Sequence, residues 1–219
     1  MVSFEDIKND SAIKTYIRKA DESLIALGFT EHSFAHVGLV AHNCKYILST
    51  LGYSEREQEL SQIAAFLHDI GNLVNRVEHS QSGAVMAFRI LHNMDMDPAE
   101  VAEIVTAIGN HDEGTGKPVS PVAAALILAD KSDVRRSRVR NNDENSFDIH
   151  DRVNYSVKKS ELKISEDKKT ITLALHVDTY YCSVMDYFEI FMQRMIMCRN
   201  AAKALGMIFK LVINDQALI

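Results

Sequence analysis

The chain has 219 residues, of which 47% are hydrophobic and 25% charged, and its formal net charge is −6. This composition excludes a disordered chain, and the acidic balance argues against a general nucleic-acid binder. No apolar run approaches the roughly 20 residues of a membrane span, and the N-terminus has no signal segment, so we expect a cytoplasmic protein that does not bind membranes.

The first 140 or so residues show the apolar spacing of three to four residues that is typical of amphipathic helices. The pattern predicts six helices, over residues 5–28, 33–51, 54–70, 80–94, 97–109 and from 121 towards 138. Several ends carry known signals, such as Gly52 after the second helix and Pro98 at the start of the fifth. Because no alternating strands lie among them, these helices predict an all-α core.

The pattern changes after residue 140. A polar stretch covers residues 141–146, and residues 171–177 alternate apolar with more polar side chains, which indicates a half-buried strand. The other predicted elements are a strand over 155–164, a helix over 181–205 and a strand over 207–214. We therefore predict a mainly α protein, with a helical domain over residues 1–145 and a small α+β subdomain of ββαβ order over 146–219.

The helix predicted over residues 181–205 is rich in methionine and aromatic residues. These residues are spread around more than one side of the helix, and a packing face explains them better than a cofactor site. We therefore expect the helix to be buried on two sides, by the strands and by a second subunit. This arrangement predicts a homodimer.

Several histidines and aspartates fall at the ends or on the inner faces of successive helices. Asp130 lies within an apolar helical stripe, where an unpaired carboxylate is costly to bury and needs a partner. A lone aspartate would pair with a buried Arg or Lys, but packed helices bring such positions together, which favours a shared metal ion. The predicted metal ligands are His36, His68, Asp69, His79, His111 and Asp130.

Mixed nitrogen and oxygen ligands suit transition metals better than calcium or magnesium. We expect one or two divalent transition-metal ions, of Fe or Mn, with Co, Ni or Zn as alternatives. Asp69 is placed to bridge two ions while His68 binds one of them. Asp112 is either a further ligand or a residue that orients its loop.

Residues 131–140 carry five basic residues against one aspartate. This segment is either a solvated helix face or a phosphate-binding flank of the predicted metal site. The predicted contacts with substrate phosphate are His32, Lys131, Arg135 and Arg136. Asp69 and Lys131 are predicted to act in catalysis, and Asp133 is expected to tie Lys131 or an arginine in place.

The order of His36, the adjacent pair His68 and Asp69, and Asp130 resembles the signature of the HD superfamily of metal-dependent phosphohydrolases. The resemblance covers about residues 30–140 and includes the segments IAAFLHDIGNLV and LILADKSDVRR. The extra histidines, His79 and His111, look like those of the two-metal branch of that superfamily. The resemblance implies a helical fold and hydrolysis of a phosphate ester or anhydride, of a nucleotide, by metal-activated water.

Two other functions stay open at this stage. The chain could be a nucleotide-sensing or scaffolding module, in which the metal is structural and the C-terminal part recruits a partner. A two-iron site of histidines and carboxylates could instead activate O₂. Turnover of a phosphate ester with added Mn²⁺ and an O₂-uptake assay would separate the three functions.

Overall fold

The computed structural model describes residues 1–141 and 143–218 of the chain. Its helices are α1 Phe4–Asn9, α2 Ser11–Ala26, α3 Phe34–Leu51, α4 Glu55–Leu67, α5 His79–Asn93, α6 Pro98–Gly109, α7 Pro121–Lys131, α8 Ile149–Ser156 and α9 Val184–Ala204. Its strands are β1 Val157–Ile164, β2 Thr170–Val177, β3 Ile208–Ile213 and β4 Gln216–Ala217. The predicted mainly α class, with a helical core and a small C-terminal α+β part, is confirmed.

Two predicted helix boundaries are wrong. The helix predicted over residues 5–28 is two helices, because Asp10 leaves the helical conformation and its carboxylate accepts a hydrogen bond from the Ile13 amide at 2.8 Å. The helix predicted to run towards residue 138 ends at Lys131, and a turn and a short 3₁₀ helix follow. This turn places Asp133 outside the helix, where it contacts α3 instead of following the helical stripe of Asp130.

The C-terminal part contains two elements that the sequence pattern did not indicate. The predicted polar stretch over residues 141–146 includes Asn142, which lies outside the described residues. The helix α8 follows this stretch and begins at an Asp148 cap, whose carboxylate accepts from the Asp151 amide at 2.8 Å. Because α8 has few buried residues, its apolar spacing is too weak to predict a helix. The two-residue strand β4 adds a short edge to the sheet.

The sheet has the order β1-β2-β3-β4, with antiparallel outer pairs and a parallel β2–β3 pair that α9 connects. The alternation predicted for β2 is confirmed, since Ile171, Leu173, Leu175 and Val177 are buried. The sheet and α9 share one hydrophobic cluster with the helical core. Ser160 on β1 also donates to the Ser132 carbonyl at 2.7 Å. The C-terminal part therefore packs directly on the helices that precede it.

The long helix α9 buries one side against the rest of the chain, through residues that include Tyr187, Phe191 and Met195. Met185 and Met192 point away from this side and are 75% and 45% exposed. A second subunit against that outer face stays a prediction, which sedimentation at micromolar concentration tests. Neither α9 nor any other helix in the described ranges combines the length and apolarity needed to cross a bilayer.

Candidate metal centre

The six residues that the sequence predicts as metal ligands meet at one buried point. His36 lies in the first turn of α3, and Asp130 lies in the last turn of α7. The others stand at helix ends: His68 and Asp69 follow α4, His79 begins α5, and His111 follows α6. Each of the six is buried, with at most 8% of its surface exposed.

Each of the four histidines in this cluster has its Nδ1 held by an acceptor. In three of them the acceptor is the backbone carbonyl three residues earlier, at 2.6–3.1 Å: His68, His79 and His111. In the fourth, His36, the carboxylate of Asp133 lies 2.7 Å from Nδ1. When Nδ1 carries the donated proton, the lone pair of Nε2 is free to bind a metal.

A first group of ligand atoms is formed by Nε2 of His36 and His68, Oδ2 of Asp69 and Oδ1 of Asp130. The His36 nitrogen lies 3.3 Å from that of His68 and 3.5 and 3.4 Å from the Asp69 and Asp130 oxygens. The His68 nitrogen lies 3.2 and 3.7 Å from the same two oxygens. Atoms that bind one ion at about 2.1 Å lie roughly 3.0–3.4 Å apart, so these atoms, at 3.2–3.7 Å, would surround one transition-metal ion after moving closer by a few tenths of an ångström.

A second group lies on the other side of Asp69. Nε2 of His79 is 3.2 Å from Nε2 of His111 and 3.5 Å from Oδ1 of Asp69. Asp69 therefore presents Oδ2 to the first group and Oδ1 to the second, which is the arrangement of a bridging carboxylate. Asp112 lies at the edge of this group, with its Oδ1 3.9 Å from Nε2 of His79.

The oxygens of Asp69 show that the residues present fit a divalent cation. Asn72 donates to Oδ1 at 3.0 Å, whereas Oδ2 is buried and has no hydrogen-bond partner within residues 1–141 and 143–218. A buried, charged acceptor without a partner is destabilising by more than about 1–3 kcal/mol. A cation between Oδ2 and the imidazoles of His36 and His68 would supply that partner, and the mixed donor set suits a transition metal.

The electrostatic field of the cluster also favours a cation. Burial opposes protonation of His68, but the carboxylates of Asp69 and Asp130 outweigh it and raise the pKa of His68 to about 10. Burial by itself would raise the pKa of Asp130, yet Lys131 and the histidines hold this pKa well below its usual range. Burial and the nearby positive groups lower the pKa of His111. The carboxylates thus stay ionised, and the potential that attracts a proton to His68 also attracts a metal ion.

Two of the predicted phosphate contacts line a small cavity of about 20 Å³ beside the cluster, namely His32 and Lys131. Nζ of Lys131 lies 2.8 Å from Oδ2 of Asp130 and 3.3 Å from Oε1 of Glu113. Nδ1 of His32 is 2.7 Å from the Thr30 carbonyl. Lys131 therefore contacts the Asp130 oxygen that faces away from the histidines, and Lys131 also lines the cavity.

The other two predicted phosphate contacts do not line this cavity. Arg135 is bound to Asp133, with its Nε 2.7 Å from Oδ1, and to Glu31. The guanidinium of Arg136 lies 4.3 Å from the ring centre of Tyr155 and donates to the carbonyl of that residue. The helix that would have directed both arginines towards the cluster ends before them, at Lys131. Asp133 does tie an arginine in place, as expected.

Three arginines that the sequence analysis did not select line the cavity instead: Arg76, Arg138 and Arg194. They come from the loop before α5, the short 3₁₀ helix that follows the turn after α7, and the helix α9. Arg138 lies within the basic segment over residues 131–140, so part of the signal was present. Arg194 is far along the chain in a methionine-rich helix, and no local pattern marks it.

A close backbone approach brings the two ligand groups together at Gly71. A Cβ atom at this position would lie 2.0 Å from the His79 carbonyl oxygen and 2.4 Å from the Gly83 nitrogen. Both are backbone atoms, which cannot move aside as a side chain can. Gly71 therefore allows the turn that carries His68 and Asp69 to reach the start of α5.

We expect Gly71→Ala to lower the free energy of unfolding by about 1–3 kcal/mol, because the added methyl group forces the backbone apart. Gly38→Ala is the matched control, since Gly38 is an exposed helical residue with open space around its Cβ position. That change should raise the free energy of unfolding by up to about 1 kcal/mol. Denaturant unfolding measures both variants, and equal stabilities would contradict the role of Gly71.

A family model covers the part of the chain that contains this cluster. Residues 33–135 match the family model described as HD domain, and this range includes all six clustered residues. The uncharacterized protein MJ1020 of Methanocaldococcus jannaschii is 26% identical over 191 residues, which cover 77% of this chain and 73% of that protein. A predicted HD superfamily hydrolase from an uncultured Thermotogales bacterium, known from its crystal structure, is 29% identical in sequence to this chain. The match covers 57% of this chain and 67% of that chain, with a TM-score of 0.45.

Proposed function

Because residues 33–135 form an HD domain and the chain thereby belongs to the HD-domain superfamily, we propose that it is a metal-dependent phosphohydrolase acting on a phosphate ester or anhydride of a nucleotide. The observation that supports this proposal most is the position of Asp69. Its Oδ2 lies 3.2–3.5 Å from Nε2 of His36 and His68, and its Oδ1 lies 3.5 Å from Nε2 of His79, which is 3.2 Å from Nε2 of His111. This geometry suits a pair of adjacent divalent ions better than a single structural ion.

Each proposed ion has its own set of ligands. The first would be held by His36, His68, Asp69 and Asp130. The second would be held by Asp69, His79 and His111. Divalent ions of Fe or Mn, or alternatively of Co, Ni or Zn, would activate water for attack on phosphorus and offset charge on the phosphoryl oxygens.

The residues around the proposed ions have positioning and binding roles. Lys131 binds the outer oxygen of Asp130 at 2.8 Å, which keeps the inner oxygen directed at His36 and His68. Arg138 is fixed by two backbone carbonyls, since it donates to Glu31 and Asp133 at 2.9 and 2.8 Å. With Arg76, it gives the cavity the fixed positive charge that a phosphate group requires.

The proposal is tested by phosphate release from protein that has been stripped with a chelator and reloaded with Mn²⁺. The substrates are nucleoside mono-, di- and triphosphates, dinucleoside polyphosphates and a generic phosphodiester. We expect turnover by the wild type and by His42→Ala, a control at an exposed histidine outside the cluster. Metal-loaded protein that releases no phosphate from any of them would instead indicate a sensing or scaffolding module, and O₂ uptake would indicate oxidative chemistry.

A further inference from the structure

The small cavity at the metal cluster adjoins a larger one of about 170 Å³, and the two share the side chains of His32, Arg76, Arg138 and Arg194. The inner cavity, of about 20 Å³, has room for little more than one water-sized group. A group of atoms as large as a nucleoside fits only in the outer cavity. A phosphorus atom at the cluster therefore has space for one large substituent and not for two.

The character of the lining changes from the inner to the outer cavity. Three arginines line both cavities and Lys131 lines only the inner one, whereas the outer wall adds hydrogen-bond acceptors in the side chains of Asp148, which caps α8, and of Asp151 and Asn154 within α8. A ligand that matches both ends carries negative charge at one end and hydroxyl or amino donors at the other. A nucleotide, with its phosphate, its ribose hydroxyls and its base amino groups, has this distribution.

Two phenylalanines give the outer cavity its apolar surface. Phe29, which precedes α3, is 40% exposed, and Phe191 on α9 is buried. Each has an arginine beside its ring: Arg76 lies 5.5 Å from the ring centre of Phe29, and Arg194 lies 4.6 Å from that of Phe191. Aromatic rings and guanidinium planes are the surfaces on which nucleobases stack.

Arg194 is held at the junction of the two cavities by a single carboxylate. Its Nε lies 2.7 Å from Oε1 of Glu113, the residue that also contacts Lys131. Among the described residues, the two Nη groups of Arg194 have no hydrogen-bond partner. A guanidinium that is ion-paired at Nε and has no hydrogen-bond partner at either Nη group can donate two hydrogen bonds to a phosphate.

We propose, on the basis of the phosphohydrolase function above, that the substrate is a nucleoside monophosphate and that the C-terminal part of the chain completes its binding site. The base and ribose occupy the outer cavity against Phe29, Phe191 and α8. Arg194 binds the phosphate at the junction and is a substrate-binding residue contributed from outside the matched HD domain.

The test compares adenosine, guanosine, cytidine and uridine 5′-monophosphates with ribose 5-phosphate, which has the same ester but no base. We expect the best nucleotide to exceed ribose 5-phosphate by at least about tenfold in kcat/KM. Phe29→Ala should raise KM for that nucleotide about tenfold and raise KM for ribose 5-phosphate much less, because that substrate has no base to stack on the ring. Phe88→Ala, at an exposed phenylalanine on α5, is the control and should change neither.

Arg194→Gln should raise KM about tenfold for both kinds of substrate, because the phosphate is common to them. Its control is Arg199→Gln, at an exposed arginine on the same helix, and circular dichroism verifies that both variants fold. Equal turnover of ribose 5-phosphate and every nucleotide, or a preference for dinucleoside substrates, would overturn this inference while leaving the phosphohydrolase function intact.

A complete lack of turnover would instead contradict the proposed phosphohydrolase function. In that case, direct binding measurements test the nucleotide subsite independently of turnover. Calorimetry of the four nucleotides with the Mn²⁺-loaded chain should show binding that Arg194→Gln weakens about tenfold and Arg199→Gln does not. No binding by the wild type, or equal binding by both variants, would overturn the subsite.

Discussion

Replacing Asp69 by alanine is expected to remove both metal ions and to lower phosphate release by at least about 10³-fold. Asp69 gives one oxygen to each ligand group, so its loss removes a ligand from both ions at once. His79→Ala removes a ligand only from the second group, and about half of the metal should remain. His68→Ala disrupts the first group and, through its neighbour Asp69, should remove all of the metal.

Elemental analysis of the purified wild type and of these three variants measures the expected stoichiometries. His42→Ala again serves as the control, because this histidine is exposed and lies outside the cluster. Circular dichroism separates loss of metal from loss of fold. Full metal content in Asp69→Ala would exclude the bridging role. Complete loss in His79→Ala would indicate that the two ions do not bind independently.

The clustering of these six residues could be predicted from the sequence because several of them stand at interruptions in a regular pattern. Asp130 is a charge in an apolar helical stripe, and His68 and Asp69 follow the last apolar residue of α4. Buried charged groups need partners, so such interruptions are informative even without coordinates. The distances among these residues, and the division of Asp69 between two groups, depend on how the helices pack and required the structure.

The roles of Asp133 and Arg194 could not be predicted in the same way. The apolar spacing of α7 continues beyond its end, since Val134 is one more buried residue at helical distance from Asp130. An uninterrupted helix would have kept Asp133 one turn beyond Asp130 on the same helix face, whereas the turn directs it to α3. Arg194 reaches the cavity because α9 packs beside α7, and the local sequence pattern cannot predict such a long-range contact.

His36 differs from the other clustered histidines in the group that accepts the hydrogen bond from its Nδ1. The other three histidines use backbone carbonyls, which no substitution can remove, but His36 depends on the side chain of Asp133. Asp133 is only 2% exposed, and it also contacts Arg135 and Arg138. Burial would raise the pKa of Asp133, but the hydrogen bond from His36 and the charge of Arg138 hold this pKa well below its usual range. Asp133 thus stays a carboxylate, which can only accept from Nδ1.

Asp133→Asn is therefore expected to weaken binding of the first ion by about 10- to 100-fold. An asparagine amide can donate to Nδ1 of His36 instead of accepting from it, which moves the imidazole proton to Nε2 and blocks the lone pair that faces the ion. Binding by His79 and His111 in the second group should change much less, since their Nδ1 acceptors are backbone carbonyls.

Titration of the metal against a competing chelator measures this change in affinity. Asp97→Asn makes the same chemical substitution at the helix cap of α6, where asparagine caps as well as aspartate does, and should leave the affinity unchanged. Because Asp133 also neutralises the buried Arg138, the substitution should destabilise the fold, by up to about 3–5 kcal/mol, and unfolding is followed in parallel. A folded Asp133→Asn protein that binds both ions as tightly as the wild type would show that Asp133 stabilises the turn after α7 but does not set the proton position on His36.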